Sequence, residues 1–241
     1  MSQVIILAAG MGRRLGTLTE ARPKAVVEVA GQPLITHTLR FAQRVGFLRR
    51  IVVSGFHASQ LRRCVEAVDP QAIVTETPSY RAGNVHSLLA GTTALHPGGF
   101  LLMNVDHIYA APVADIVHGV AEGATDVTAF VDFDRTLGPD DMKVELLHGR
   151  VDRMSKTLQR WDAGYVGMTF VPGAVRDAYL AVAHQALNRH GPAVNVEQLL
   201  NDLAGGGIPP VIQDISGVGW WEVDDESDRT AAEAALSGRT V

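Results

Sequence analysis

The sequence lacks the features that mark an exported or membrane-spanning protein. Its 241 residues include one cysteine, Cys64, so an internal disulfide cannot form and a reducing compartment is expected. No apolar run approaches the roughly 20 residues needed to cross a bilayer. The apolar segment 4–9 is too short for a signal peptide and follows no basic stretch. We therefore expect a cytoplasmic protein without a membrane segment.

The chain also lacks an excess of positive charge. Its formal net charge is −5, and its 21 Lys and Arg residues are scattered along the sequence. Surfaces that coat nucleic acids are basic, so nucleic acid is not an expected partner. The hydrophobic content of 46% and the charged content of 20% are those of an ordinary globular protein. A chain of this length is expected to form a single domain, residues 1–241, with a substantial core.

Two common phosphate-binding motifs are missing from a segment that otherwise has the composition of a phosphate site. The apolar run 4–7 ends in a series of small and then basic residues: Leu7, Ala8, Ala9, Gly10, Met11, Gly12, Arg13, Arg14 and, ten residues later, Lys24. A Walker loop needs a Lys-Ser/Thr pair after its glycines, and none follows here. The dinucleotide motif needs a third glycine where this chain has Leu15. ATPase and dehydrogenase interpretations are therefore disfavoured.

The same segment still favours binding of a triphosphate. Small residues let the backbone approach a ligand closely, and the N–H groups of such a turn attract anions. Arg14 and Lys24 supply counter-charge for phosphates. The segment from Leu7 to Arg14, with Lys24, therefore predicts a site for a nucleoside triphosphate. The two glycines by themselves also fit an ordinary tight turn between a strand and a helix.

Apolar runs alternate with helical patterns along the first 130 residues. The runs predict strands at 4–7, 51–53, 72–75, 100–105 and 127–131, with helices at 57–68, 85–94 and 113–120. Strands that are apolar on both faces suit a parallel sheet covered by helices. The predicted class is α/β, a doubly wound and mostly parallel sheet flanked by helices.

The character of the sequence changes after Pro139. A hairpin is predicted around 148–150, followed by a strand at 165–171 and helices at 173–188 and 194–204. Two short strands at 211–215 and 220–223 precede a final helix at 227–236, with Ser227 as its N-cap. We interpret this half as a small β-rich substrate-binding portion of the same fold.

Three charged residues stand at the ends of predicted strands, where open α/β sheets bind ligands. Asp106 follows the run 100–105 and suits either a turn or a metal ion. Asp224 follows a second short run, and Lys156 follows the hairpin. By itself, a lysine such as Lys156 is usually only solvated.

The first 35 residues taken together resemble the signature of the sugar-nucleotide pyrophosphorylase family. The match covers LAAG-x-G-x-R-L-x-x-L-T, then Pro23-Lys24, then Gln32-Pro33-Leu34-Ile35. The resemblance implies a Rossmann-like nucleotidyltransferase fold, with a nucleotide-binding part at about 1–135 and an acceptor-binding part at about 136–241. It also implies Mg²⁺ held by Asp106 and Asp224, the latter within WWEVD. Asp225 then either shares that role or caps the last helix, and His107 is a neighbour of the metal.

The resemblance implies further roles, residue by residue. Arg14, Lys24 and Lys156 would be catalytic, with Lys156 on the acceptor's phosphate. The nucleotide would contact the glycine loop, Leu7 to Arg13, and also Glu76, Gly83 and Asn84. Asp162 and Glu197 would contact the acceptor. Without the resemblance, Asn84 is an ordinary helix N-cap and Glu197 a first-turn acidic residue favoured by the helix dipole.

Within that family, Gly83-Asn84-x-x-Ser87-Leu88 resembles the cytidylyltransferases for phosphoalcohols. Asp106-His107-Ile108-Tyr109 and DDMKV at 140–144 resemble the inositol-phosphate branch. We expect a Mg²⁺-dependent cytidylyltransferase that joins CMP from CTP to a phosphorylated or phosphonate acceptor. The alternatives are a hexose-1-phosphate nucleotidyltransferase using UTP, dTTP or GTP, and a non-catalytic nucleotide-binding regulator. The acceptor stays unidentified, and a homodimer through the Trp220-Trp221 pair stays open, as does a core position for that pair.

Overall fold

A computed structural model describes residues 3–237 of the chain. Its strands are β1 (Gln3–Leu7), β2 (Glu28–Val29), β3 (Gln32–Pro33), β4 (Arg49–Ser54), β5 (Ile73–Glu76), β6 (Phe100–Asn104), β7 (His107–Tyr109), β8 (Thr128–Asp132), β9 (Lys143–Leu147), β10 (Arg150–Ser155), β11 (Ala163–Val171), β12 (Val211–Asp214) and β13 (Trp220–Glu222). Its helices are α1 (Leu34–Val45), α2 (Ala58–Val68), α3 (Val85–Thr92), α4 (Val113–Gly123), α5 (Arg176–His190), α6 (Val196–Gly205) and α7 (Glu226–Leu236). Two 3₁₀ segments, Arg13–Thr19 and Lys24–Val26, lie between β1 and β2.

Nine strands form one sheet in the order β5-β4-β1-β6-β11-β8-β12-β10-β9. The four strands β5, β4, β1 and β6 are parallel, as are β8 and β12. Strand β11 lies between β6 and β8 and is antiparallel to both. In the described sheet, β10 and β11 run against the direction that the other strands share. The predicted α/β class with a mostly parallel sheet is confirmed, and the second half extends the same sheet.

Helices cover both faces of the sheet, because successive side chains of a strand point to opposite sides. On β1, Val4 and Ile6 pack against a core that includes residues of α1, α2 and α4. Ile5 and Leu7 pack against residues of α3, α5 and α6. A smaller apolar cluster joins α7 to the segment around Leu15. This cluster holds the C-terminal helix beside the glycine loop.

The helix ends follow local chemistry. Helix α1 stops at Gly46, which adopts the left-handed conformation with φ 92°. The prediction that Ser227 caps the last helix was wrong. Asp225 is the N-cap and accepts hydrogen bonds from the backbone N–H groups of Ser227 and Asp228, while Asp228 reaches back to the N–H of Asp225. Helix α5 begins at Arg176, whereas the sequence pattern predicted a start at residue 173.

Strands β9 and β10 form the predicted hairpin. Its two-residue turn, His148-Gly149, has φ 52° and 74°, the positive values that a tight hairpin turn requires.

Strand β7 was not predicted. It pairs antiparallel with β13, which comes more than a hundred residues later. Within residues 3–237 no helix combines the length and apolarity needed to cross a membrane.

Candidate active site

Pairing of distant strands brings the two predicted metal carboxylates together. Parallel pairing of β1 with β6 sets Leu7 beside Asn104, so the glycine loop and Asp106 leave the sheet at the same edge. Antiparallel pairing of β7 with β13 sets His107 opposite Glu222. The backbone N–H of Val223 then donates to the carbonyl of Asp106, at 2.9 Å. Asp106 and Asp224 therefore lie close together although more than a hundred residues separate them in the sequence.

Lys24 lies between these carboxylates. Its Nζ donates to Asp106 Oδ2 at 2.8 Å and to Asp224 Oδ1 at 2.5 Å, and the lysine is only 7% exposed. Burial by itself would lower the pKa of Lys24, but the charges of Asp106 and Asp224 outweigh it and raise that pKa. Burial would likewise raise the pKa of Asp106, yet Lys24 and His107 hold it well below its ordinary value. The ammonium of Lys24 and the carboxylate of Asp106 are therefore both charged.

Arg14 adds a second positive group at the same point. Its Nη2 lies 2.5 Å from Asp224 Oδ2, and its Nη1 lies 3.2 Å from Asp140 Oδ2. The loop that carries Arg14 depends on Gly12, which has φ 65°, and a Cβ there would lie 2.7 Å from the Cβ of Lys24. Glycine at this position lets the loop pack directly on the lysine stem.

Two further residues lie beside Asp106: His107, which was expected as a neighbour of the metal, and Glu222, which the sequence analysis missed. His107 Nδ1 is 2.8 Å from Asp106 Oδ1, and His107 Nε2 is 4.0 Å from Glu222 Oε2. Burial raises the pKa of Glu222 to about 7. Ligand atoms of Asp106, His107 and Glu222 lie within 4.8 Å of one another, an arrangement able to hold a metal ion. Glu222 was missed because its position depends on the pairing of β7 with β13.

A rigid support lies behind His107. Its ring stacks on Trp220, with centroids 5.5 Å apart and planes 9° apart. Trp220 is 6% exposed and its Nε1 donates to Asp132 Oδ2 at 2.7 Å, so Trp220 is a core residue. Gly167, with φ 73°, passes so close that a Cβ there would lie 2.7 Å from His107 Nε2. The packing of Trp220 and Gly167 thus leaves the imidazole little room to move.

Two adjoining cavities meet at Asp106. The first, of about 170 Å³, is lined on the loop side by Leu7, Ala9, Gly10 and Lys24. The second, of about 190 Å³, is lined by Lys156, Tyr165 and Glu197 among others. Asn84, Asn104 and Asp106 line both. Residues from both halves of the chain therefore surround one cleft with two compartments.

The second compartment carries a half-buried acid beside an exposed lysine. Glu197 stands in the first turn of α6, and burial raises the pKa of its carboxyl group. The Lys156 charge opposes that rise. Tyr165 is buried in the wall, where its hydroxyl lies 2.8 Å from Thr169 Oγ1. This compartment offers a cation for an anionic group and polar atoms around it.

Asn84 does not cap its own helix through its side chain. Its Oδ1 instead accepts the N–H of Val196, at 2.7 Å, while Asn195 Oδ1 accepts the N–H of Asn84, at 3.2 Å. The N–H of Gly83 donates to the carbonyl of Pro192, at 2.8 Å. The start of α3 is thereby joined to the start of α6.

Some predicted residues stand apart from the two compartments. Asp162 is exposed, and its Oδ2 accepts the N–H of Leu146 at 2.7 Å, so this carboxylate ties β9 to the segment before β11 rather than lining the cleft. Glu76 is exposed at the end of β5. Arg13 is also exposed, and Ala8 is buried with its N–H on the carbonyl of Val53.

The chain is similar in sequence to known proteins over most of its length. Residues 4–160 match the family model of the MobA-like NTP transferase domain. The CMP-5'-(3-aminopropyl)phosphonate synthase of Streptomyces rubellomurinus is 26% identical over 98% of this chain and 39% of its own length. The bifunctional IPC transferase and DIPP synthase of Rubrobacter xylanophilus is 31% identical over 97% of this chain and 51% of its own length. The chain thus spans about half of these relatives or less.

Solved structures share the fold over nearly the whole chain. The inositol-1-phosphate CTP transferase of T. maritima has a TM-score of 0.80 at 17% identity, covering 99% of this chain and 98% of that one. A UDP-glucose pyrophosphorylase has a TM-score of 0.78 at 11% identity, covering 100% of both chains. At these identities the likeness extends to the fold alone, which serves alcohol-phosphate and hexose-phosphate enzymes equally.

Proposed function

We propose that this chain, a nucleotidyltransferase that belongs to the family of MobA-like NTP transferase domains, is a cytidylyltransferase. It would join CMP from CTP to a phosphorylated or phosphonate small alcohol or cyclitol and release diphosphate. The observation that carries the proposal is the cluster of Lys24, Asp106 and Asp224 at the junction of the two compartments. One compartment has a glycine loop suited to a triphosphate, and the other has Lys156 for a second anion.

The donor set fits Mg²⁺ as the divalent ion. Asp106 and Asp224 already converge on one cation, the ammonium of Lys24, and carboxylate oxygens are the ligands that Mg²⁺ prefers. Glu222 adds a third carboxylate nearby. When bound, the ion would supply charge neutralisation at phosphate oxygens. The two aspartates would hold it, and Lys24 would then be free to turn toward the nucleotide's phosphates.

The remaining chemistry belongs to the protein's own side chains. The acceptor's phosphate or phosphonate oxygen is ionised at neutral pH, so its attack on the α-phosphorus of CTP needs no general base. Lys156 would orient that oxygen toward the nucleotide compartment. Arg14 and Lys24 would balance the charge on the departing diphosphate. Catalysis of this kind consists of positioning and charge stabilisation.

The choice of CTP and of the acceptor class rests on sequence and on relatives. Gly83-Asn84 and DDMKV at 140–144 resemble the phosphoalcohol branch. The Streptomyces relative is named for a CMP-phosphonate product, and the T. maritima structure for CTP and inositol 1-phosphate. We further propose that residues at about 1–135 bind the nucleotide and those at about 136–241 the acceptor. Glu197 and Tyr165 would then contact the acceptor's non-phosphate part.

A diphosphate-release assay across substrates tests the proposal. CTP, UTP, dTTP and GTP would each be combined with an aminoalkylphosphonate, phosphocholine, inositol 1-phosphate and glucose 1-phosphate, in the presence of Mg²⁺. The proposal expects turnover with CTP and one of the first three acceptors. Turnover confined to glucose 1-phosphate with UTP, dTTP or GTP would identify the hexose-1-phosphate alternative. Nucleotide binding without turnover on any acceptor would favour a regulator.

A further inference from the structure

Lys143, at the start of β9, has an unusual environment for a lysine. It is only 4% exposed, and among residues 3–237 no carboxylate lies within ion-pair distance of it. Its Nζ donates to three backbone carbonyls: Gly138 at 2.7 Å, Asp141 at 3.3 Å and Lys156 at 2.9 Å. A lysine ammonium has three N–H donors, so each carbonyl can take one of them.

The three carbonyls belong to two segments that reach the cleft. The segment 138–141 carries Asp140, whose carboxylate holds Arg14 at 3.2 Å beside the glycine loop. The other segment is the turn after β10, from which the side chain of Lys156 enters the acceptor compartment. The ring centroid of Trp161, an exposed residue, lies 5.4 Å from Lys143 Nζ. One ammonium group therefore links the loop that carries Asp140 to the turn that carries Lys156, and both of these residues line the second compartment.

The scarcity of lysine in the sequence supports a specific need for an ammonium group at position 143. The sequence has only three lysines, Lys24, Lys143 and Lys156, among 21 basic residues. Two of them line the cleft, and the third stands directly behind it. An arginine has a planar fork of donors, which does not match three carbonyls arranged around one nitrogen.

We propose that Lys143 is a positioning residue for nucleotidyl transfer: its ammonium fixes the backbone of Lys156 and the loop of Asp140 relative to each other. The inference rests on the proposed function. Lys143 itself does not line either compartment. Without its ammonium, the three carbonyls lose their shared donor, and the backbone of Lys156 is no longer held in place. Since catalysis here depends on geometry, small displacements of Lys156 lower the rate.

Kinetics of Lys143→Met and Lys143→Gln test the inference. We expect kcat/KM for the acceptor to fall by about 10²-fold, as for other displaced groups, with KM for the acceptor rising more than KM for CTP. Lys143→Arg should recover part of the loss, because it restores a charged donor. Val151→Ala, in the fully buried core of β10, is the control for stability. It should lower the melting temperature and leave both KM values unchanged.

A spectroscopic measurement separates failure of the inference from failure of the proposed function. Protein labelled with ¹³C at the lysine ε-carbons has three lysine resonances, and Lys156→Arg identifies that of Lys156. We expect Lys143→Gln to shift or broaden the Lys156 resonance even without substrate, and Val151→Ala to leave it in place. An unchanged Lys156 resonance, or unchanged acceptor kinetics in both Lys143 variants, would overturn the inference. A wild-type protein without any transferase activity would overturn the proposed function instead.

Discussion

The side chains of Asn84 and Asn195 each accept a hydrogen bond from a backbone N–H at the start of the other residue's helix, and these two helices flank the cleft. Asn84 accepts from the N–H of Val196 at 2.7 Å, and Asn195 accepts from the N–H of Asn84 at 3.2 Å. Each side chain thus satisfies a free backbone donor at a helix N-terminus. Asn84 lines both compartments, and Glu197 follows in the same turn as Val196. The two compartments are therefore built on one connected unit.

Asn195→Ala should weaken the binding of both substrates. Loss of one such hydrogen bond corresponds to about 1 kcal/mol, or a threefold to tenfold rise in each KM. The control is Gln3→Ala, because Gln3 makes a similar reciprocal pair with the backbone of His96, at 2.8 Å in both directions, at the other end of β1. Gln3→Ala should cost similar stability without changing either KM. A rise in KM for CTP alone would contradict the link between the two sides.

Asp224→Asn and Asp225→Asn should differ strongly despite their adjacency. Asp224 contacts Lys24 and Arg14, so its loss should lower Mg²⁺-dependent diphosphate release by about 10³-fold. Asp225 caps α7, and asparagine caps helices as well as aspartate does. Asp225→Asn should therefore retain near wild-type activity. Initial rates measured over a Mg²⁺ titration check this, and equal losses in the two variants would remove the distinction between them.

Gly167→Ala should inactivate the protein through His107. An alanine at φ 73° costs about 1–2 kcal/mol wherever it stands. At position 167 its Cβ would also press on His107 and displace the partner of Asp106. Gly149→Ala is matched, since Gly149 has φ 74° and open space around it. Both variants should lose stability in thermal unfolding, but activity should fall in Gly167→Ala only. Comparable activity in the two would show that the position of His107 is unimportant.

Glu197→Gln should raise stability and lower activity. Burial raises the folded-state pKa of Glu197 above its ordinary value of 4.5, so the folded protein binds this proton more tightly than the unfolded chain does. Stability therefore decreases as the pH rises from the unfolded pKa through the folded one, and the penalty persists above both. Glutamine removes that penalty. Thermal unfolding at pH 4 and pH 7.5 should show stabilisation at pH 7.5 and little difference at pH 4.

A Glu197→Gln variant that is less stable than the wild type at pH 7.5 would contradict this explanation of Glu197. Kinetic constants from the same preparations complete the test. A more stable Glu197→Gln variant with a higher KM for the acceptor would mark a residue kept for function at the expense of stability. Unchanged acceptor kinetics would reduce Glu197 to a first-turn acid.

Local patterns explain which parts were predictable from the sequence. The glycine loop and Asp106 follow β1 and β6, which are neighbouring parallel strands whose carboxyl ends meet at one edge of the sheet. Asp224 follows β13 of the separate two-stranded sheet, so its approach to Asp106 depends on the pairing of β13 with β7. Glu222 escaped prediction, since only the pairing of β7 with β13 directs it toward Asp106. Asp162 was assigned to the acceptor from its place in a motif, but its carboxylate bonds to the neighbouring strand.

Other contacts of the site could not be predicted because they are hydrogen bonds between residues far apart in the sequence. The contacts of Asn84 with 195–196 join segments whose distance in space no local pattern encodes. The sequence left open whether Trp220 lies in the core or at an interface. Its burial against His107 follows from the short sheet that β7 and β13 form. Such contacts become visible only once the tertiary pairing is known.

Phosphorus NMR of the reaction mixture tests the central claim most directly. The protein would be incubated with Mg²⁺, CTP and each of the aminoalkylphosphonate, phosphocholine and inositol 1-phosphate acceptors. The account predicts that with one of them the CTP resonances decline while those of free diphosphate and of a new phosphorus–oxygen–phosphorus linkage to CMP appear together. Unchanged CTP with all three acceptors, in a sample that consumes UTP or dTTP with glucose 1-phosphate, would contradict it.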